Sequence, residues 1–142
     1  MNKKNSKKTI DVGQLNSGFR DEISAMLGGE NLQNCFACGT CAAGCPVTNV
    51  NEEYNCRKIV RQILMGMREE VLKSPMIWFC QECYRCHARC PQQVNFPDIM
   101  RVLRHIAVRD GFAPAEKLAE IEEINRKSQQ ARSEMIRGKD KK

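Results

Sequence analysis

The chain contains 142 residues, a length that suits one small domain with extended ends. Its formal net charge of +6 comes from basic residues in 1–8 and 137–142, so the remainder is nearly neutral and lacks a basic nucleic-acid-binding surface. No apolar stretch is long enough for a signal peptide or a membrane-spanning helix, and we therefore expect a soluble, cytoplasmic protein.

The predicted elements along the chain are helices. Apolar residues recur at helical spacing, and most of these stretches end at a glycine, which favours a left-handed C-cap, or before a proline. In chain order the expected helices are Gly18–Leu27, a stretch between Pro46 and Gly66, Arg68–Lys73, a stretch between Pro91 and Gly111, and residues 113–130. Strand character is weak and confined to residues 78–79 and 94–96.

Eight of the nine cysteines form two groups with the same spacing, C-x2-C-x2-C-x3-C, each followed by a proline. The first cysteine group is Cys35, Cys38, Cys41 and Cys45, and the second is Cys80, Cys83, Cys86 and Cys90. Adding 45 to each position of the first group gives the second, and Gly66 is related to Gly111 in the same way. A unit of cysteine loop, amphipathic helix and glycine therefore occurs twice, and we expect the two units to pack about a pseudo-twofold axis.

This cysteine spacing is typical of proteins that bind 4Fe-4S clusters. Three cysteines spaced by two residues can wrap three corners of one cluster, and in two-cluster ferredoxins the fourth cysteine ligates the other cluster. We therefore expect two 4Fe-4S clusters with crossed ligands. One is held by Cys35, Cys38, Cys41 and Cys90, and the other by Cys80, Cys83, Cys86 and Cys45. Zinc, the alternative metal, prefers two C-x-x-C pairs separated by a longer insert.

The fold that follows is mostly α, an alpha-helical ferredoxin-like domain with two pseudo-symmetric cysteine-loop and helix repeats around two 4Fe-4S clusters. The predicted organisation has four parts. They are a flexible basic tail at 1–15, the two-cluster domain at 16–112, a charged helix at 113–130 and a flexible basic tail at 131–142.

Three passages resemble a narrower family. They are CFACGTCAAGCPV at 35–47, NCRKIVRQILMG at 55–66 and IWFCQECYRCHARCPQQVNFPDIMRVLR at 77–104. Together they resemble the C subunit of heterodisulfide reductase over roughly residues 20–112. The cysteine motifs alone are shared with succinate dehydrogenase iron-sulfur proteins and glycolate oxidase subunits. The Ile-Trp-x-Cys sequence and the Arg-Lys pair of the helix before Gly66 favour the heterodisulfide reductase C subunit over these other proteins. Cys56 stands where the C-subunit family commonly has a proline.

The resemblance implies an electron relay between a flavin-containing A subunit and a disulfide-reducing B subunit. The B subunit's chemistry needs adjacent Cys-Cys pairs, and this sequence contains none. We therefore expect an electron-transfer subunit without catalytic residues, and without a small-molecule substrate, nucleic acid or membrane as partner. Two alternatives stay open. One is the iron-sulfur subunit of another anaerobic dehydrogenase or reductase, and the other is a structural or nucleic-acid-binding protein whose clusters only hold the fold.

Two further hypotheses concern residues near the cysteines. We interpret Cys56, the ninth cysteine, as a buried and inert thiol, with a redox or ligand role as the alternative. The second cysteine loop contains Arg85 and Arg89 against Glu82, whereas the first contains no charged side chain. Positive charge favours the reduced form of a cluster, so we expect a higher potential for the cluster held by Cys80, Cys83 and Cys86.

Overall fold

The computed structural model describes residues 9–139, and within them it contains helices and turns but no strand. The α-helices are α1 (Phe19–Ser24), α2 (Thr40–Ala43), α3 (Cys56–Leu64), α4 (Arg68–Lys73), α5 (Arg85–Ala88), α6 (Phe96–Arg109) and α7 (Ala115–Lys139). Short 3-10 turns lie at Val12–Gln14, Leu32–Asn34 and Pro75–Trp78. The mostly helical fold class is therefore confirmed.

The 45-residue repeat of the sequence is also present in the backbone. Shifting α2 by 45 positions gives α5, and the same shift takes the end of α3 to the end of α6. Gly66 and Gly111 follow these two helices with φ angles of 76° and 77°. Both glycines thus supply the left-handed conformation that stops a helix without steric penalty.

The hydrophobic core lies between the apolar faces of α1, α3 and α6. Phe19 and Ile23 come from α1, Ile63 from α3, and Ile99 and Leu103 from α6, and all five are inaccessible to solvent. α6 also contacts α4, α5, α7 and the 3-10 turn at Pro75–Trp78. This central position of α6 brings the two cysteine loops onto one framework.

Four charged side chains join the ends of three elements at the surface. Arg68, at the start of α4, pairs with Glu22 of α1 and with Asp110, which follows α6. Arg109 lies 2.7 Å from Glu22 Oε1 and 2.8 Å from Asp110 Oδ1. The hydrogen bond from Arg68 lowers the pKa of Glu22, and that from Arg109 lowers the pKa of Asp110. The four groups therefore remain ionised at neutral pH and hold α1, α4 and α6 together.

Some predicted elements differ from the observed ones. The weak strand predictions were wrong, because Trp78 ends a 3-10 turn and Phe96 begins α6. α1 ends at Ser24 rather than at Leu27, since Ala25 and Met26 form a tighter turn before Gly28, whose φ is 91°. The C-terminal helix begins at Ala115 and continues past Gln130 to Lys139. Residues 1–8 and 140–142 of the two predicted tails lie outside the described residues.

Helix α7 extends well beyond the core because its sequence favours a helix without much packing. Leu118 and Ile121 are half-buried against the core, but the side chains from Ile124 to Gly138 are mostly exposed. Strong helix formers and ion pairs one turn apart, such as Lys127 with Glu123 at 3.3 Å, support the exposed part. None of the helices in residues 9–139 is long and apolar enough to span a bilayer.

Candidate cluster-binding site

The two cysteine loops share an unusual backbone conformation. Ala37 and Glu82 have φ angles of 59° and 49°, and Gly39 and Tyr84 have φ angles of 86° and 56°. Each pair is related by the 45-residue shift. Residues other than glycine adopt positive φ at an energetic cost, and they do so mainly where a loop closes around a ligand. Alternating left- and right-handed residues also turn successive N–H groups inward, a conformation that binds anionic groups including iron-sulfur clusters.

Backbone polar groups act on the cysteine sulfurs in both loops. The backbone of Ala37 partly offsets the rise in the pKa of Cys35, and that of Glu82 partly offsets the rise in the pKa of Cys80, again at positions related by the repeat. The N–H of Val94 donates to Cys90 Sγ over 3.4 Å. Such bonds stabilise thiolates, so the loops are preorganised for negatively charged sulfur.

The eight cysteines line two neighbouring cavities. The first cavity is bordered by the cysteines Cys35, Cys38, Cys41, Cys86 and Cys90. The second cavity is bordered by the cysteines Cys45, Cys56, Cys80, Cys83 and Cys86. Each cavity thus combines three cysteines of one group with the last cysteine of the other, and Cys86 reaches both. α2 and α5 pack against each other, which brings each loop next to its repeat mate.

The cysteines differ in exposure and in acidity. Cys38 and Cys83 are exposed, whereas the other six repeat cysteines are half-buried. Burial raises the pKa of Cys35 and Cys80 and raises that of Cys86 to about 12. A thiol must lose its proton to bind iron, so metal binding here releases protons, and the positive charge of iron must offset the burial.

Cys56 is buried, as the sequence predicted, with 1% of its surface exposed. It is the first residue of α3, and its thiol lies beside those of Cys41 and Cys45. The interaction between the two thiols lowers the pKa of Cys41 and raises that of Cys56, so Cys56 is the one that keeps its proton. It therefore contacts one repeat cysteine from each cavity, a position that sequence reasoning did not anticipate.

Positive charge is distributed between both cavities, unlike the expectation from the loops alone. Arg57 of α3 lines the first cavity. The guanidinium of Arg89 lies against Gly44 of the first cysteine loop, where an added Cβ would be only 2.6 Å from Arg89 Nη1. Arg85 lines the second cavity, so arginines lie beside both. The higher potential expected for the cluster held by Cys80, Cys83 and Cys86 stays a prediction.

Arg104 is a site residue that the sequence analysis missed. Its side chain is buried in α6, with Nε 2.8 Å from Ile77 O and Nη2 2.8 Å from Cys80 O. Nη1 lies 2.6 Å from Glu82 Oε1, so the guanidinium fixes the approach to the second cysteine loop. The sequence did contain a signal, because Arg104 falls on the apolar stripe of α6 beside Leu103 and Ala107. A charged residue at a core position requires buried partners.

Trp78 and the two histidines contact only other parts of the protein. Trp78 is buried, and Lys117 of α7 lies 4.8 Å from the centre of its ring. His87 Nδ1 is 3.5 Å from Val94 O, and His105 is exposed. Across residues 9–139, no three His, Cys, Asp or Glu side chains converge on a position for a single metal ion.

Comparison with known proteins points to iron-sulfur binding. Residues 31–94 match the family model described as a 4Fe-4S dicluster domain, and this range includes both cysteine groups. The chain is 38% identical over 109 residues to the C subunit of H(2):CoB-CoM heterodisulfide,ferredoxin reductase from Methanothermobacter thermautotrophicus. That alignment covers 76% of this chain and 58% of the relative.

Two further relatives carry similar names. The iron-sulfur C subunit 2 of CoB-CoM heterodisulfide reductase from Methanocaldococcus jannaschii is 35% identical over 72% of this chain and 58% of its own length. The C subunit of ferredoxin:CoB-CoM heterodisulfide reductase from Methanosarcina acetivorans is 42% identical over 66% of this chain and 36% of its own length. The chain is homologous to the C subunit of heterodisulfide reductase.

This homology to the heterodisulfide reductase C subunit confirms the family resemblance found in the sequence, and the matched family supports 4Fe-4S binding by this chain. The chain spans little more than half the length of the first two relatives. Their remaining segments have no counterpart in the alignment, so the homology describes the cluster-binding body.

Proposed function

We propose that this protein is an electron-transfer subunit of a heterodisulfide reductase-like complex and that it binds two 4Fe-4S clusters. The observation that carries this proposal is the pair of adjoining cavities, each bordered by three cysteines of one group and the last cysteine of the other. The inward N–H groups and the left-handed turns at Ala37 and Glu82 fit an anionic cluster at both places.

The proposed ligand sets are the crossed ones. Cys35, Cys38, Cys41 and Cys90 would hold a cluster in the first cavity, and Cys45, Cys80, Cys83 and Cys86 would hold one in the second. Cys86 also reaches the first cavity. We assign it to the second because the first already has a complete set of four. When bound, such clusters supply one-electron redox chemistry without a change in the protein's covalent structure.

The positions of the cysteines support electron transfer between the two proposed sites. Cys86 borders both cavities, and Cys56 lies beside Cys41 on one side and Cys45 on the other, so the two proposed sites adjoin each other. Cys38 and Cys83, which the repeat relates, are the exposed cysteines of their groups. Each site is therefore buried toward its neighbour and open at one edge, where a partner protein can approach.

We further propose that the partners are a flavin-containing A-type subunit and a disulfide-reducing B-type subunit. The support is the name of the relatives, which refers to CoB-CoM heterodisulfide and ferredoxin, together with the absence of adjacent cysteines in this sequence. Purification of the tagged chain from its native cells under anaerobic conditions tests this. A co-purifying flavoprotein and a Cys-Cys-containing protein would support it, and a different dehydrogenase would contradict it. The cytoplasmic location and the domain bounds stay predictions.

Paired cysteine substitutions test the clusters and their ligands together. The anaerobically reconstituted protein should contain about eight iron atoms and about eight acid-labile sulfides. If the ligands are crossed, Cys35→Ala with Cys90→Ala removes two ligands from one cluster and leaves about four iron atoms. Cys35→Ala with Cys45→Ala then damages both clusters. The reverse pattern would show uncrossed ligation, and colourless protein without sulfide would refute cluster binding altogether.

A further inference from the structure

Tyr54 is a buried tyrosine whose hydroxyl group has no role in the protein's own hydrogen bonding. The residue lies in the connector before α3 and has no exposed surface. Its backbone is fixed on both sides, because its N–H donates to Asn51 O over 3.1 Å and its carbonyl accepts from Thr48 Oγ1 over 3.2 Å. Its hydroxyl has no hydrogen-bond partner among the described residues. A buried hydroxyl without a partner is destabilising, which is why such groups are rare and usually face a ligand.

The Tyr54 side chain forms part of the wall of the second cavity. It lies there with Cys45, Cys80 and Cys86, and the rest of the wall near it includes the apolar side chains of Val47 and Phe96. The Tyr54 side chain also interacts directly with that of Cys80. The sulfur-lined part of this wall offers the buried hydroxyl an acceptor, and the apolar part does not.

We propose that the Tyr54 hydroxyl donates a hydrogen bond to sulfur in the second cavity, either the Cys80 thiolate or an adjacent cluster sulfide, and thereby raises the reduction potential of the cluster held there. This inference rests on the proposed binding of two clusters. A reduced cluster carries one more negative charge than an oxidised cluster, so a donor at its sulfur stabilises the reduced form more strongly.

The second repeat has no side chain equivalent to the Tyr54 hydroxyl. The position related to Tyr54 by the 45-residue shift is Ile99, which is also fully buried. The side chain of isoleucine has no hydrogen-bond donor, so the second repeat contributes no group equivalent to the Tyr54 hydroxyl. At neutral pH a tyrosine hydroxyl keeps its proton and can therefore donate a hydrogen bond. Two sites with the same cysteine spacing therefore also differ in a hydrogen-bond donor that lies outside the cysteine loops.

Tyr54→Phe removes the donor and preserves the aromatic ring. The chain's other tyrosine provides a matched control, because Tyr84 lies in the second cysteine loop but its hydroxyl donates to Asp98 Oδ1 over 2.6 Å. Both variants and the parent protein are reconstituted anaerobically, checked for iron and sulfide, and titrated by EPR to obtain two midpoint potentials. Resonance Raman spectra in H2O and D2O report whether an iron–sulfur stretch is sensitive to an exchangeable proton.

We expect Tyr54→Phe to lower one midpoint potential and to leave the other unchanged. A roughly tenfold change in the reduction equilibrium, about 59 mV for one electron, is the expected scale for loss of one charge-assisted bond. The deuterium sensitivity of the iron–sulfur stretches should decrease in this variant, because one exchangeable donor is lost while the backbone N–H groups remain, and it should stay unchanged in Tyr84→Phe.

Three results would overturn the inference. They are unchanged potentials in Tyr54→Phe, an equal shift of both potentials, or the same shift in Tyr84→Phe. A parent protein that contains no clusters would instead refute the proposed function, so the two failures are distinguishable. Tyr54→Leu serves as a second variant if Tyr54→Phe fails to fold, and in it the same single potential should fall.

Discussion

Arg104 Nη1 lies 2.6 Å from Glu82 Oε1, and this ion pair joins the buried face of α6 to the second cysteine loop. Glu82 is also held by Asn125 of α7, whose Nδ2 is 3.0 Å away, and by Arg101 at 3.5 Å. One carboxylate therefore connects the loop to two helices. Because the same guanidinium binds the carbonyls of Ile77 and Cys80, it fixes both the backbone and the side chain of this segment.

Arg104→Gln should destabilise the protein and weaken the binding of the cluster proposed for the second cavity. The substitution breaks the buried ion pair and leaves Glu82 without its charged partner. We therefore expect the free energy of unfolding to fall by about 3 kcal/mol. The measurement is anaerobic denaturant unfolding of the cluster-loaded protein, followed by far-UV circular dichroism and by visible absorption. Loss of half the iron before global unfolding would locate the weakness in one site.

A double-mutant cycle separates the ion pair from the rest of the Arg104 contacts. Glu82→Gln alone and combined with Arg104→Gln should show a favourable coupling between the two residues. If the two changes were simply additive, the pair would not be the stabilising element. Arg101→Gln is a matched control, since Arg101 also approaches Glu82 but from an exposed position.

Gly66 and Gly111 provide a matched pair for the two repeats, because their backbones are alike and their surroundings are not. A Cβ on Gly66 would overlap the carbonyl of Asn16, with the carbonyl carbon 2.8 Å away, whereas a Cβ on Gly111 would meet nothing within 4 Å. Gly111→Ala should lower the free energy of unfolding by about 1 kcal/mol, because alanine is strained in the left-handed conformation. Gly66→Ala should lower it by roughly 2 kcal/mol or more, because the new methyl group also overlaps Asn16.

Thermal unfolding of the two glycine variants, under the same anaerobic conditions, checks this difference. Equal losses of stability in the two variants would mean that the segment around Asn16 moves freely away from Gly66. The hydrogen bond from Asn16 N to Gly66 O, at 2.8 Å, argues that it does not.

Glu22→Gln should weaken the junction of α1, α4 and α6. The side chain of Glu22 is 26% exposed and binds two arginines. After allowing for solvent screening, we expect Glu22→Gln to lower the free energy of unfolding by about 1 kcal/mol. The pKa of Glu22 is lowered in the folded protein by its hydrogen bond to Arg68. The stabilisation that Glu22 provides is therefore complete at pH values above the pKa of Glu22 in the unfolded chain. It is lost only as the pH falls through the lower pKa of Glu22 in the folded protein.

The pH dependence gives this prediction a second readout. The difference in Tm between the parent protein and Glu22→Gln should be the same at about pH 6 and at about pH 8, because Glu22 is ionised in both the folded and unfolded states there. A difference that grew between these two pH values would show that another titrating group, not Glu22, links the three helices.

Cys56→Ser should leave the iron and sulfide content unchanged, since both cavities have four other cysteines in the proposed sets. The serine hydroxyl can still donate toward Cys41, so the midpoint potentials should move little. Cys56→Ala removes the donor, and we expect it to lower the potential of at least the cluster bound by Cys41. Loss of about four iron atoms in Cys56→Ser would instead identify Cys56 as a ligand.

The helices near the repeat could be predicted from the sequence because their signals are local. α4 has the predicted bounds Arg68–Lys73, and the two glycines after α3 and α6 have the expected left-handed conformation. The C-terminal helix was predicted too short, since apolar periodicity fades after Ile124 while helix propensity does not. Weak strand signals at 78–79 and 94–96 reflected aromatic and β-branched residues that serve core packing instead.

The sequence by itself determined the chemical class of this protein, because the spacing of thiols along a short loop dictates how many can reach one cluster. It also determined the twofold repeat and the family. Only the tertiary structure decided which side chains surround the cysteines: Arg104 beneath the second loop, Arg57 beside the first, and Tyr54 with its unpaired hydroxyl. These contacts join residues distant in the chain. They depend on how α3, α6 and the loops pack, and no local pattern in the sequence encodes that packing.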